Sequence, residues 1–137
     1  MQLPVESLRR ATLGLGIGTL VVGTVPWIAP RPFARAFGLS TGESTVTDLL
    51  IRSVSARDAI SGIGILSATI HGGRVAPWIL ARALSDGTDT LAVGIAWKSG
   101  ARSSGLAALG GIALAANILD VALYLAHKQL ARRPLPG

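Results

Sequence analysis

The stretch Arg82-Ala-Leu-Ser-Asp86-Gly-Thr-Asp89 lies in the middle of a segment, Pro77 to Trp97, that is otherwise largely apolar. Read as an α-helix, it places Arg82, Asp86 and Asp89 at positions i, i+4 and i+7. The three side chains then share a stripe about 60° wide that runs about 10 Å along the helix axis. One cation and two carboxylates on one face of an apolar helix need polar partners. Other helices have to supply them.

The composition favours a membrane protein. Half of the 137 residues are hydrophobic and only 15% are charged, whereas an ordinary soluble domain carries about 25% charged residues. Cysteine is absent, which excludes disulfides, thiolate metal sites and cysteine nucleophiles. The two histidines, His71 and His127, are far apart in the sequence, so we expect no zinc site either.

The net charge of +6 does not indicate a nucleic-acid-binding protein, because no basic stripe with interleaved aromatic residues is present. The basic residues lie instead in or beside the polar connections, where cations anchor helices to phospholipid head groups. We therefore expect membrane lipid, and no nucleic acid, among the partners. The residues concerned are Arg9, Arg10, Arg31, Arg35, Arg74, Lys98, Arg102, Lys128, Arg132 and Arg133.

Four apolar segments each approach the length of about 20 residues that crosses a bilayer core. They cover about residues 11–28, 49–70, 77–97 and 105–126. The sequence therefore predicts an all-α fold, an integral membrane bundle of four transmembrane helices that forms a single domain over residues 1–137. Residues 31–47 are expected to lie at the membrane interface, and residues 129–137 are expected to form a disordered basic tail.

Two alternatives to this architecture remain open. The first segment follows Arg9 and Arg10 and has the general pattern of a secretory signal peptide, but no small-x-small cleavage site precedes a polar mature start. We therefore favour an uncleaved span. A soluble helical domain would place the charged stripe in water, but it leaves unexplained why the first segment has no polar face.

The first segment also carries a face of small residues, because Thr12, Gly16, Thr19 and Gly23 fall on one side of a helix. Such a face lets a second helix approach closely, and we interpret it as a packing surface. We also expect the protein to form a homodimer that packs through small residues.

The distribution of basic residues predicts an orientation for a multi-pass protein of the cell membrane. One side holds Arg9, Arg10, Arg74, Lys128, Arg132 and Arg133, and the other holds Arg31, Arg35, Lys98 and Arg102. Under the positive-inside rule, both termini are then expected in the cytoplasm.

Further polar residues occur in the second and fourth segments. The second contains Arg57 and Asp58, and the fourth has Asn117, Asp120 and Tyr124 on one face. A charge at the centre of a membrane helix costs on the order of 2.5–3.5 kcal/mol on insertion scales, so we expect these side chains to face inward and to pair. Because adjacent helical residues point about 100° apart, Arg57 and Asp58 are expected to contact neighbouring helices rather than each other.

The aspartates of these segments outnumber the arginines, so we expect at least one carboxyl group to stay protonated. One ionised and one neutral carboxyl group are what general acid–base catalysis requires. We expect Asp89 or Asp58 to act as the base, a protonated aspartate as the acid, and the two arginines to orient them. The candidate catalytic residues are Asp58, Asp86, Asp89, Arg57, Arg82 and Asp120. The candidate substrate-binding residues are Asn117, Tyr124, Trp78 and Ser61.

Three functions fit this pattern. The first is an intramembrane enzyme that isomerises, cyclises or opens the epoxide of a lipophilic small molecule without a metal or a redox cofactor, since no motif for either is visible. An Asp–Arg–Asp grouping is similar in its chemistry, though not in sequence, to the limonene-type epoxide hydrolases, in which one aspartate activates water and another protonates the epoxide oxygen. The second function is a small proton-coupled transporter or channel subunit. The third is a structural or assembly subunit in which the charges only pair.

The chain also resembles a family of small bacterial and fungal membrane proteins of unknown function with about four spans. The resemblance rests on Arg57-Asp58 followed by Gly62-Ile-Gly64, and on Arg82 with Asp86 and Asp89. It covers roughly residues 50–125, and it implies a four-span fold but no particular activity.

Overall fold

The computed structural model describes residues 4–38 and 45–132, and all regular secondary structure within these two ranges is α-helical. The all-α class predicted from the sequence is therefore confirmed. The helices are α1 (Val5–Ile28), α2 (Pro30–Ala36), α3 (Thr45–Ile70), α4 (Ala76–Lys98) and α5 (Ser104–Ala131).

The four long helices include the four apolar segments and extend beyond them. Helix α3 begins at Thr45 and so shortens the connection expected over residues 31–47, which contains most of α2; residues 39–44 lie outside the described ranges. Residues 129–131 are helical rather than part of a disordered tail. A physical reason is the basic Lys128 in the last turn of α5, where a cation stabilises the negative end of the helix dipole. Residues 133–137 are not among the described residues.

Local sequence explains where two of the helices begin. Ala29, between α1 and α2, has φ −128° and ψ 65°, because the following Pro30 disfavours a helical conformation at the residue before it. Pro30 itself occupies the first turn of α2, where a missing N–H costs nothing. At the start of α5, the Ser103 hydroxyl accepts a hydrogen bond of 3.1 Å from the Leu106 backbone N–H, which satisfies one of the free donors of the helix N-terminus.

The four long helices pack in a closed ring. Helix α1 packs along α3 and α4 along α5, while smaller contacts join α3 to α4 and α1 to α5. Between α1 and α5, His127 Nε2 lies 2.8 Å from Thr12 Oγ1. Because the Thr12 hydroxyl already donates its hydrogen to the Leu8 carbonyl, it accepts the hydrogen bond from His127.

The small-residue face of α1 packs against α3, which confirms the packing surface predicted from the sequence. Its members Thr12, Gly16, Thr19 and Gly23 are all buried. On α3, a Cβ atom added at Gly62 would lie 2.6 Å from the Leu20 backbone nitrogen and 2.9 Å from its Cα atom. The two backbones are therefore too close to admit a side chain at this position.

Polar side chains lie inside the ring and many large hydrophobic ones lie outside. The buried polar and charged residues within the described ranges are Thr12, Thr19, Ser55, Ser61, Arg82, Asp86 and Asp120. On the outer surface, Ile17 of α1 is 56% exposed and Ile118 of α5 is 62% exposed. The interior also holds a hydrophobic cluster that includes Leu15, Ile65 and Ile79, so the buried residues are both polar and apolar.

Two helices, α1 and α5, are long and apolar enough to cross a membrane. Helices α3 and α4, which carry charged residues along their length, are not among them. Length and composition thus support a membrane location through two helices. These two helices do not confirm the expectation of four membrane spans.

The close approach at Gly62 predicts a specific effect of a small substitution. We expect Gly62→Ala to destabilise the protein by about 1–3 kcal/mol, because the added methyl group meets backbone atoms that cannot move aside easily. Thermal unfolding in detergent, followed by circular dichroism, measures the effect.

Gly18→Ala is the matched control, since no atom lies within 4 Å of a Cβ added at Gly18. There we expect no loss, or a gain of up to about 1 kcal/mol, because alanine favours the helix over glycine. Equal stabilities for the two variants would contradict the tight α1–α3 contact.

Candidate functional site

Helix α4 is flanked by two Asp–Arg–Asp groups that together contain all six candidate catalytic residues. The first, which we name the α3–α4 group, consists of Arg57, Asp58 and Asp89. The second, the α4–α5 group, consists of Arg82, Asp86 and Asp120. In each group a single arginine lies between two carboxylates.

In the α3–α4 group the arginine holds Asp89 with two parallel hydrogen bonds. Arg57 Nη2 donates to Asp89 Oδ2 over 2.7 Å, and Nη1 donates to Oδ1 over 3.2 Å. Arg57 Nη2 also donates to Asp58 Oδ1 over 3.1 Å. The side chains of Arg57 and Asp89 are about one third exposed and that of Asp58 is 13% exposed. This group is therefore hydrogen-bonded and accessible.

The α4–α5 group is buried. Arg82 Nη2 lies 2.9 Å from Asp86 Oδ2, and Arg82 Nε lies 3.1 Å from Asp120 Oδ2. The exposed fraction of each side chain is below 10%, and that of Asp120 is 0%.

These two close contacts are ion pairs whose angles fall outside hydrogen-bond geometry. As a result, within the described residues, Arg82 Nε and Nη1, Asp86 Oδ2 and both carboxyl oxygens of Asp120 are buried without a hydrogen-bond partner. Buried polar atoms in native proteins are normally paired. In this group the guanidinium group and the two carboxylates are matched by charge at short distance rather than by hydrogen bonds.

The two groups influence each other through α4. Asp86 and Asp89 are three positions apart on this helix, which places their Cβ atoms about 5–6 Å apart. Asp86 feels the charges of Asp58 and Asp89 as well as that of Arg82. Four carboxylates face two guanidinium groups in this region, so the combined site has a formal charge of −2 if every carboxyl group is ionised.

The expectation that Arg57 and Asp58 would not contact each other was wrong. Their helix positions do diverge, but the long Arg57 side chain turns back, and both its Nε and its Nη2 reach Asp58 Oδ1. Arg82 likewise pairs with Asp86 within its own helix.

Two of the candidate substrate-binding residues lie next to the charged groups and hydrogen-bond to backbone atoms. The Asn117 side-chain amide donates to the Ala83 carbonyl of α4. The Ser61 hydroxyl donates to the Arg57 carbonyl over 3.0 Å. Asn117 thereby links α5 to α4 one turn before Asp86, and it supports the α4–α5 group rather than lining an open surface.

The other two candidates pack elsewhere. The ring of Trp78 fills the space where a side chain at Gly64 would lie, so this contact sets the close approach of α3 and α4. Tyr124 packs against the hydrophobic core, and Lys128 Nζ lies 5.6 Å above the centre of its ring. The described contacts do not bring either residue to a carboxylate.

The sequence analysis missed a cavity of about 440 Å³ between α4 and α5. It extends along α4 from Thr90, the residue after Asp89, to Lys98 at the C-terminal end of the helix. A signal was present in the sequence, because Gly94 on α4 has no side chain to fill the space beside it.

Within residues 4–38 and 45–132, no group of three histidine, aspartate or glutamate side chains is arranged to hold a metal ion. Comparison with protein-family models, with curated proteins and with solved structures finds no match for this chain. The family resemblance therefore stays an expectation from short motifs, and the site has to be interpreted from its own geometry.

The burial of the α4–α5 group predicts a large effect when its cation is removed. We expect Arg82→Met to destabilise the protein by about 3–5 kcal/mol, because it leaves Asp86 and Asp120 buried without a counter-ion. Thermal unfolding in detergent measures the loss. The triple variant that adds Asp86→Asn and Asp120→Asn should recover most of it, since no charge then remains unpaired.

Arg10→Met serves as the control, because Arg10 pairs with Glu6 on the surface and its side chain is 77% exposed. Exposed pairs contribute little to stability, so we expect no measurable change. If Arg82→Met also left the unfolding temperature unchanged, the burial of this group would be contradicted.

Proposed function

We propose that the protein is an integral membrane enzyme that performs acid–base catalysis on a lipophilic small molecule. The observation that carries this proposal is the pair of Asp–Arg–Asp groups on either side of α4, one accessible and hydrogen-bonded, the other buried with unpaired carboxyl oxygens. Two carboxyl environments that differ in this way favour one ionised and one protonated group.

Asp89 is the proposed general base. The two hydrogen bonds from Arg57 fix its orientation, and its side chain is 35% exposed. A substrate or a water molecule can therefore reach it. Asp58, the second partner of Arg57, is the less accessible of the two carboxylates and helps to orient the guanidinium group.

Asp86 is the proposed general acid. It shares Arg82 with Asp120, and one guanidinium group cannot compensate two buried carboxylates in surroundings of low polarity. One of the two carboxyl groups is then protonated. Asp86 lies one helical turn before Asp89 and its side chain is 7% exposed, whereas Asp120 is fully buried and positions Arg82.

The chemistry follows from these roles. Asp89 removes a proton from a carbon atom or from an attacking water molecule, and Asp86 delivers a proton to the oxygen or carbon atom where negative charge develops. Isomerisation, cyclisation and epoxide opening all use this exchange, and each leaves Asp89 protonated and Asp86 ionised. A proton that returns from Asp89 to Asp86 restores the starting state. The grouping is similar in its chemistry to the limonene-type epoxide hydrolases.

A membrane with four spans is the proposed setting. The outward hydrophobic faces of the ring support it, because lipid covers such faces and water does not. Helices α3 and α4 can then cross the bilayer, since the charged residues near their middles pair with one another or with a neighbouring helix. Both termini lie in the cytoplasm in this arrangement, with α2 at the opposite interface, and a homodimer can form through further small residues.

A proton-coupled transporter is the second candidate. The unpaired oxygens of Asp86 and Asp120 favour it, because buried carboxyl groups within reach of one another can pass a proton. A purely structural role would instead require the charges to satisfy each other fully, and the unpaired atoms of the α4–α5 group argue against that role.

The proposed topology predicts opposite labelling at the two ends of α4. The chain has no cysteine, so one introduced cysteine reports unambiguously. We expect Arg74→Cys to react with an impermeant maleimide only after the cells are permeabilised, and Ala101→Cys to react in intact cells. Labelling of both positions from the same side would show that α4 does not cross the membrane.

The catalytic proposal predicts a loss of turnover without a loss of folding. The purified protein in liposomes is incubated in deuterated, heavy-oxygen water with a lipid extract of the cells that express it, and mass spectrometry identifies products that carry either label. We expect Asp89→Asn to lower product formation by about 10²-fold or more, the contribution typical of a general base. Its unfolding temperature should stay close to that of the unsubstituted protein.

Asp48→Asn is the matched control, because Asp48 pairs with Arg31 outside both groups, and it should turn over normally. If the unsubstituted protein produces no labelled product but conducts protons across the liposome, and Asp89→Asn does not, the transporter is correct and the enzyme is not.

A further inference from the structure

The cavity between α4 and α5 has an apolar wall, a cationic end and an end at the charged groups. Val93, Trp97, Ala107 and Gly110 line its sides, and Gly94 leaves open space in it. Lys98 lies at one end, and within the described residues it is in no ion pair. From Thr90 to Lys98 the helix rises about 12 Å.

The other end of the cavity reaches the proposed catalytic groups. Thr90, which lines that end, follows Asp89 directly in the sequence, and its hydroxyl donates a hydrogen bond of 2.8 Å to the Asp86 carbonyl. A molecule that extends through the cavity from Lys98 therefore ends within about one helical turn of Asp89 and Asp86 along α4, although neither carboxyl group lines the cavity.

We infer that this cavity binds a single-chain amphiphile with a carboxylate head group, with the carboxylate at Lys98 and the hydrocarbon chain running toward Thr90. The charge of Lys98 complements the head group, and the apolar walls match the chain. The cavity is widely open, and its volume of about 440 Å³ lies within the usual range for ligand cavities, about 300–1,000 Å³.

This inference rests on the proposed function for its last step. If the α3–α4 and α4–α5 groups are catalytic, the reacting atoms belong to the end of the chain that is remote from the head group. The substrate class is then a long-chain carboxylic acid with an epoxide or a double bond near its far end. The head group sets the position of the chain, and the length of the chain decides which atoms reach Asp89.

The test measures binding and needs no turnover. The probe is a saturated fatty acid with a photoreactive diazirine near the end of its chain, added to the purified full-length protein in a neutral detergent. We expect saturable crosslinking, with the adducts mapped by mass spectrometry to the segments of α4 and α5 that line the cavity, near Thr90. The fatty alcohol of the same chain length should bind more weakly, because it lacks the charge that Lys98 attracts.

Gly94→Leu tests the place of binding. A Cβ atom added at Gly94 has no atom within 4 Å, so the larger side chain enters the cavity and not a neighbouring helix. We expect the affinity to fall by about tenfold or more, since the leucine fills space that the chain needs. Gly111→Leu is the matched control, because Gly111 is equally open but does not line the cavity.

Lys98→Gln tests the head group. It should remove the preference for the acid over the alcohol, and Lys98→Arg should keep it. The inference is overturned if Gly94→Leu binds as well as Gly111→Leu, if the adducts map to α1 or α3, or if Lys98→Gln still prefers the acid.

The same assay separates this inference from the proposed function. Asp89→Asn should bind the fatty acid with unchanged affinity, because Asp89 does not line the cavity. If the protein binds the fatty acid but no extract gives a labelled product, the catalytic proposal is contradicted and the inferred binding site is supported. Turnover without binding in the cavity would support the catalytic proposal and contradict the inferred binding site.

Discussion

Around helix α4, four carboxylates compete for two guanidinium groups, and the packing of α3, α4 and α5 is organised by this shortage of cations. A buried charge that loses its partner costs several kcal/mol, so each arginine has to stay within reach of carboxylates on two sides. Arg57 meets Asp89 across the α3–α4 contact, and Arg82 meets Asp120 across the α4–α5 contact. Slippage of α4 by one turn against either neighbour would break an ion pair. The charges thus fix the register of three helices.

The two halves of the ring are held together by different forces. Helices α1 and α3 approach through Gly23 and Gly62 and pack backbone against backbone, which maximises dispersion contacts between surfaces without large side chains. Helices α4 and α5 instead contribute the Arg82–Asp120 pair and the hydrogen bond from Asn117. Their looser packing leaves the cavity beside Lys98. Tight packing therefore lies on one side of the molecule, and the polar groups and the open volume lie on the other.

Sequence periodicity predicted the helices and the small-residue face of α1 because both depend on spacing along one chain segment. The stripe of Arg82, Asp86 and Asp89 was visible for the same reason. What could not be predicted was the partner of each charge across a helix contact. Arg57 holds Asp89 with two hydrogen bonds, and the spacing along one helix does not specify this pair. Pairing of this kind depends on the rotation of one helix against another and on the reach of flexible side chains, such as that of Arg57 toward Asp58. Tyr124 shared a helical face with Asp120, but a one-turn displacement along α5 was enough to place it in the hydrophobic core.

The contact between Thr12 and His127 closes the ring by joining the first helix to the last. Each long helix therefore has two neighbours, whatever the order in which the chain visits them. In such a cyclic arrangement the connecting segments carry little of the structural information, since helix faces and not loops select the neighbours. A circular permutant in which a short linker joins the end of α5 to the start of α1, and in which the new N-terminus lies before α4, would have the same set of helix contacts. The architecture is in this sense permutable, and its two Asp–Arg–Asp groups would survive the reordering because neither depends on the α1–α5 junction.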